Sequence, residues 1–82
     1  MPTVRRIQEG YRLFFFSNEG DPRERVHIHV MKGGAMAKVW LEPAIDLDSS
    51  FGFSSRDLRV IMDVVASERG GLIRAWHDYF GK

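Results

Sequence analysis

The sequence predicts an α+β fold, with a small antiparallel sheet of about four strands in two consecutive hairpins and one long C-terminal helix packed on one face. Three observations support this prediction. Alternating apolar residues flank Gly33-Gly34, a helix-capping signal stands at Ser54, and apolar residues then recur at helical spacing as far as Phe80. The chain has 82 residues and no cysteine, so we expect a single domain over residues 1–82 with no disulfide supporting its core.

The first hairpin is predicted from two segments rich in β-branched and aromatic residues. Thr3 to Ile7 and Tyr11 to Ser17 are the two strands, and Gln8-Glu9-Gly10 between them is a turn signal. Residues 17–24 are polar and show no periodicity. We expect this stretch to be a surface loop.

The second hairpin joins Arg25–Lys32 to Ala35–Glu42 through Gly33-Gly34, whose glycines can adopt the positive φ angles of a tight turn. A two-residue loop fixes the register outward from it. The predicted pairs are Lys32 with Ala35, Met31 with Met36, His29 with Lys38, His27 with Trp40, and Arg25 with Glu42.

Strand alternation sorts these side chains onto two faces. The core face carries Val26, Ile28, Val30, Ala37, Val39 and Leu41. The second face carries His27, His29, Met31, Met36, Lys38 and Trp40, together with either Phe14 and Phe16 or Leu13 and Phe15. Because one helix covers only one face, we expect the second face to be exposed on the monomer and covered by a partner.

Pro43 ends the last strand, and residues 44–52 are expected to be irregular, or at most a short strand around Ile45–Leu47. The helix then begins at Ser54, with Asp57 completing a capping box and Phe53 and Leu58 a hydrophobic staple. Its apolar stripe is Leu58, Ile61, Met62, Val65, Leu72, Ile73, Trp76 and Phe80. Gly70-Gly71 allows a kink, although the stripe keeps its phase across the two glycines.

The two histidines of the motif HIH are open to three interpretations. A zinc site needs three or four ligands, and no third ligand converges on His27 and His29, so we expect no metal and no cofactor. The simplest interpretation is structural, with His27 packed against Trp40. In the third, both act as acid–base groups on RNA, with Arg12, Arg25 and Lys38 holding phosphates.

Charge and hydropathy exclude some classes of function. A formal net charge of +1 argues against binding nucleic acid or lipid through overall charge alone. The longest apolar run, Leu13 to Phe16, is far too short to span a membrane, and no signal pattern opens the chain. We therefore expect a cytoplasmic protein without membrane contact.

Five stretches of the sequence, MPTV, YRLFFFSNEG, HIHV, KVWLEP and AWHDYFGK, occur in an order and spacing that resemble the bacterial domain-of-unknown-function family numbered 4160. The resemblance implies a small cytoplasmic protein, often encoded beside another small protein in what is sometimes regarded as a toxin–antitoxin-like module. It implies no catalytic residue. The positions that match the family's pattern around the second hairpin are His27, His29, Trp40 and Glu42.

The function predicted from these observations is a non-enzymatic protein-interaction module of a toxin–antitoxin-like gene pair. Its partner would be a small protein encoded nearby or a second copy of the chain. The alternative is an RNA-binding protein or endoribonuclease toxin that uses His27 and His29, with Arg12 and Arg25 contacting RNA. The predicted partner-binding residues are His27, His29, Trp40, Lys38, Phe14, Phe16 and Met31.

Overall fold

The computed structural model describes residues 6–8, 10–15 and 25–81, which form a five-stranded sheet and a long helix. Neighbouring strands are antiparallel and follow chain order, so that the first and last strands form the two edges. The predicted α+β fold class is confirmed. The elements are β1 (Arg6–Gln8), β2 (Tyr11–Phe14), β3 (His27–Lys32), β4 (Ala35–Trp40), β5 (Asp46–Phe51) and α1 (Ser55–Phe80).

Both predicted hairpins are present. In the first, Gln8 pairs with Tyr11 across a turn in which Gly10 has a φ of 85°. In the second, the pairs from Lys32–Ala35 to His27–Trp40 match the predicted register. Arg25 and Glu42 lie beyond the last ladder pair, where Arg25 Nε donates a hydrogen bond to the Glu42 carbonyl oxygen at 3.2 Å. The predicted loop over residues 17–24 lies outside the described residues.

Strand β5 is the main difference from the sequence-based expectation, which allowed only a short strand around Ile45–Leu47. The strand has six residues and pairs with β4 along its length. Aspartate is depleted in strands and most of this segment is polar, so its composition did not indicate a strand. Its backbone pairs with the edge that β4 would otherwise expose, and this tertiary pairing outweighs the weak local propensity.

A β-bulge interrupts the β4–β5 ladder. Val39 pairs with Leu47, whereas Lys38 pairs with Ser49, so Asp48 is the extra residue. In a regular strand, residues 47 and 51 would point to the same face. The bulge instead leaves Leu47 packed against the core and sets Phe51 opposite Met36, which belongs to the second face.

Helix α1 begins at the predicted capping signal. The Asp57 N–H donates to Ser54 Oγ at 3.0 Å and the Ser54 N–H donates to Asp57 Oδ2 at 3.2 Å, which confirms the capping box. The helix runs unbroken past Gly70 and Gly71 and ends at Gly81, whose φ is 82°. No helix in the described ranges is both long and apolar enough to cross a membrane.

The core lies between the sheet and α1, as predicted. Every residue assigned to the core face is buried, and Leu13 and Phe15 of the first hairpin join it. Phe14 therefore belongs to the second face, while Phe16 lies outside the described residues. The buried side chains of α1 itself are Ile61, Val64, Val65, Leu72 and Trp76.

Candidate functional site

The two histidines of β3 are buried inside the monomer. His27 is 0% exposed and His29 is 7% exposed, and Phe14 beside them is 2% exposed. The prediction that these side chains form an exposed surface is therefore wrong. It counted α1 as the only element able to cover side chains and took no account of how the aromatic rings pack on one another. Whether any of these residues acts in partner binding stays a prediction.

The ring of His27 lies among three other rings. Its centroid is 5.4 Å from that of Trp40, 5.2 Å from His29 and 5.0 Å from Trp76. His29 in turn stacks on Phe14 at 5.7 Å, with an angle of 25° between the ring planes. We call these five residues the ring cluster. Offset and edge-to-face arrangements of this kind are favourable between aromatic rings.

Trp76 is the member of the ring cluster that sequence reasoning missed. The helical spacing of α1 placed it on the stripe facing the core, where it also contacts Phe15 at 5.3 Å and Phe80 at 4.5 Å. His27 was assigned to the opposite face. His27 is the first residue of β3, at the end of the sheet, and Trp76 contacts it there. Helical periodicity alone carries no signal for this contact.

The hydrogen bonding of His27 defines the tautomer of its ring. Nδ1 lies 2.7 Å from the Arg25 carbonyl oxygen, and a carbonyl oxygen only accepts, so the proton is on Nδ1. This bond and the ring contacts are the features expected of a structural histidine. A general acid or base must reach its substrate, and the His27 side chain has no exposed surface that a substrate could contact.

The described residues contain no group of three or more His, Cys, Asp or Glu side chains that could hold a metal ion. The two cations near the ring cluster contact the face of an aromatic ring. The Arg25 guanidinium lies 4.3 Å and the Lys38 Nζ 4.6 Å from the centroid of the half-buried Trp40 ring. Such cation–π contacts are favourable, and they place positive charge beside the histidines rather than the carboxylates that a metal would need.

The structure does not bring the two predicted RNA-contacting arginines together. Arg12 is exposed and pairs with Met31, whereas Arg25 precedes the first residue of β3. Arg25 and Met31, the partner of Arg12, are six residues apart, and six residues along a strand span roughly 20 Å. Arg12 borders a depression with Lys32 near the tight turn of the second hairpin, at the end of β3 away from Arg25.

An exposed surface does exist at the β5 edge of the sheet. Phe51 is 75% exposed, and it borders a groove of about 210 Å³ whose walls come from β3, β4 and β5. Sequence reasoning missed this surface because it left Phe51 in an irregular segment. The residues lining the groove are His29, Met36, Ala37, Lys38, Ser49, Ser50 and Phe51.

Comparison with known families identifies the chain. The model of the family described as "Domain of unknown function (DUF4160)" matches residues 10–77. The chain belongs to this family. No curated protein and no solved structure matches it significantly. The resemblance noted in the sequence is thereby confirmed, and DUF4160 membership adds no activity, ligand or partner.

Proposed function

We propose that this DUF4160 protein is a non-enzymatic protein-interaction module that binds its partner along strand β5. The observation that carries the proposal is Phe51, a large apolar side chain that is 75% exposed on the outermost strand of the sheet. Among the described residues, no strand pairs with the outer edge of β5. An edge of this kind can accept a strand from another chain through main-chain hydrogen bonds.

The groove beside Phe51 gives the edge a place for a partner's side chain. Met36 lies opposite Phe51 in the ladder, and both are on the second face. A strand added to β5 would place alternate side chains over this face, where an apolar one can enter the groove. Two residues predicted from the sequence as partner-binding, His29 and Lys38, line the same groove.

Charge favours a different protein over a second copy as the partner. Asp46 and Asp48 are exposed on β5, and the strand contains no basic residue. Pairing of two β5 strands would bring the aspartates of both copies onto adjoining strands, where like charges destabilise the pairing. A partner strand that carries lysine or arginine would instead gain opposite-charge contacts. We therefore propose a basic extended segment of a second protein.

The proposed setting is a toxin–antitoxin-like gene pair in the cytoplasm. Support for the pair comes from the family resemblance alone. Support for the compartment comes from the absence of cysteine in the sequence, since such a chain gains nothing from an oxidising environment. In this setting the small protein encoded nearby would supply the basic segment.

The test compares two variants that each remove one exposed aromatic side chain. Phe51→Ser alters the proposed surface, and Tyr79→Ser is the control, since Tyr79 is 48% exposed but lies near the end of α1. Tagged wild type and both variants are purified from the host, and a co-purifying small protein is then produced separately. Its Kd is measured by calorimetry. We expect Phe51→Ser to weaken binding at least tenfold, about 1.4 kcal/mol or more, and Tyr79→Ser to leave it unchanged.

Three outcomes would contradict the proposal. Equal binding by wild type and Phe51→Ser would exclude this surface. A dimer of the purified chain that dissociates in Phe51→Ser would show that the occupant is a second copy. Co-purification of nuclease-sensitive RNA in place of a protein, with binding that weakens steeply as salt rises, would favour the RNA alternative.

A further inference from the structure

A cavity of about 550 Å³ lies where the start of the second hairpin, the connection after β4 and the C-terminal half of α1 meet. None of its lining residues lines the groove beside Phe51. Its volume falls within the range of small-molecule sites in proteins. The lining residues are Arg25, Val26, Glu42, Pro43, Arg69, Trp76 and His77.

Two arginine side chains in the wall are held in place by backbone carbonyl oxygens of residues 41–43. Arg69 Nε donates to the Leu41 oxygen at 2.7 Å and Arg69 Nη2 donates to the Pro43 oxygen at 3.3 Å. Arg25 Nε donates to the Glu42 oxygen at 3.2 Å. A guanidinium has five N–H donors, and these bonds use two of Arg69 and one of Arg25. Both cations are thus fixed beside the cavity with donors to spare.

His77 also lines the cavity. Its Nδ1 is buried, so a ligand in the cavity would not reach that atom. The remaining walls at Val26, Pro43 and Trp76 are largely apolar.

The charges around the cavity select the class of ligand. Two guanidiniums outnumber the one carboxylate of Glu42, so the cavity favours an anion over a cation. Guanidinium forks match the geometry of phosphate oxygens, and two of them suit a dianion. The volume exceeds what a phosphate ion alone would fill, and apolar walls suit an organic group attached to it.

We propose that this cavity is a binding site for a small phosphate monoester, with Arg25 and Arg69 holding the phosphate and Val26, Pro43 and Trp76 contacting the organic part. This site is separate from the proposed protein interaction along β5. Either proposal can fail without affecting the other, because Phe51→Ser changes no residue of the cavity.

The experiment titrates the full chain with inorganic phosphate, AMP and adenosine, monitored by calorimetry and by tryptophan fluorescence. Arg25→Gln removes a proposed contact, and Arg74→Gln is the matched control, since Arg74 is exposed on α1 and does not line the cavity. We expect saturable AMP binding, at least tenfold weaker binding of adenosine, and about a tenfold loss of AMP affinity in Arg25→Gln. Arg74→Gln should bind AMP as the wild type does.

Absence of saturable binding of both phosphate and AMP at millimolar concentrations would overturn the proposal. An equal loss of affinity in Arg25→Gln and Arg74→Gln would also overturn it, because net charge and not the cavity would then be responsible. Arg69→Gln should lose at least as much affinity as Arg25→Gln. Since Arg69 also supports the 41–43 backbone, circular dichroism must first show that this variant folds, and Arg25→Gln tests the proposal independently of it.

Discussion

Both faces of the sheet contain fully buried side chains, but these are buried by different kinds of contact. On the core face, Ile28 and Val39 are 0% exposed and belong to the apolar cluster that includes the buried residues of α1. On the second face, His27 is equally buried, but among aromatic rings and with a hydrogen bond to a backbone carbonyl oxygen. Side chains on the second face are therefore buried by aromatic rings, one of which is Trp76 of α1.

The difference predicts how each face responds to substitution. Apolar contacts are non-directional, so a core tolerates replacement by apolar residues of similar volume. Ring geometry and hydrogen bonds are directional, so the ring cluster should respond to changes of chemistry at constant volume. Substitutions at Trp76, His27 and Gly70 probe, in turn, the contact between the two regions, the second face and the helix that covers the core face.

The largest effect is expected at Trp76, the residue that contacts both regions. Trp76→Ala removes its contacts with Phe15 of the core and His27 of the ring cluster, and should cost about 3–5 kcal/mol of unfolding free energy. Urea denaturation followed by circular dichroism measures it. Tyr79→Ala, at a position 48% exposed on the same helix, should cost less than about 1 kcal/mol. Similar losses in the two variants would show that Trp76 does not join the regions.

An intermediate effect is expected at His27. His27→Phe keeps an aromatic ring but removes the hydrogen bond to the Arg25 carbonyl oxygen, which should cost about 1–3 kcal/mol in chemical denaturation. His27→Ala removes the ring contacts as well and should cost more. If His27→Phe were as stable as the wild type, the second face would be held by ring packing alone, and the contrast with the core face would disappear.

The smallest effect, with the opposite sign, is expected at Gly70. This residue is exposed within α1, and a Cβ atom added there meets nothing within 4 Å. Gly70→Ala should therefore stabilise the helix by about 0.5–1 kcal/mol. The midpoint of thermal unfolding measures it. A fall in that midpoint would mean that the covering of the core face depends on flexibility at Gly70.

The parts of the fold that local rules govern were predictable from the sequence. Gly33-Gly34 fixed the register of the second hairpin, Ser54 and Asp57 marked the start of α1, and alternation along β3 separated Ile28 from its neighbours. In each case a short-range signal has a single geometric consequence. The unbroken helix was also consistent with the phase of its apolar stripe across the two glycines.

The candidate sites were less predictable because they depend on contacts between distant segments. Nothing near His27 in the sequence indicates that Trp76 will contact its ring, and nothing near Arg69 indicates that it will bind the backbone of residues 41–43. Strand β5 was concealed by its aspartates and serines. Its pairing with β4 depends on an available backbone edge rather than on side-chain pattern.

The β-bulge at Asp48 limits the association of many copies of the chain through the outer edges of their sheets. Regular ladder pairing on β5 is confined to Asp46–Leu47 on one side of the bulge and Ser49–Phe51 on the other. Bulges increase local twist and prevent long, flat strands from stacking edge to edge. The irregularity thus guards against fibrous aggregation. Deletion of Asp48 would make the ladder regular and remove this protection, while Phe51 would stay opposite Met36.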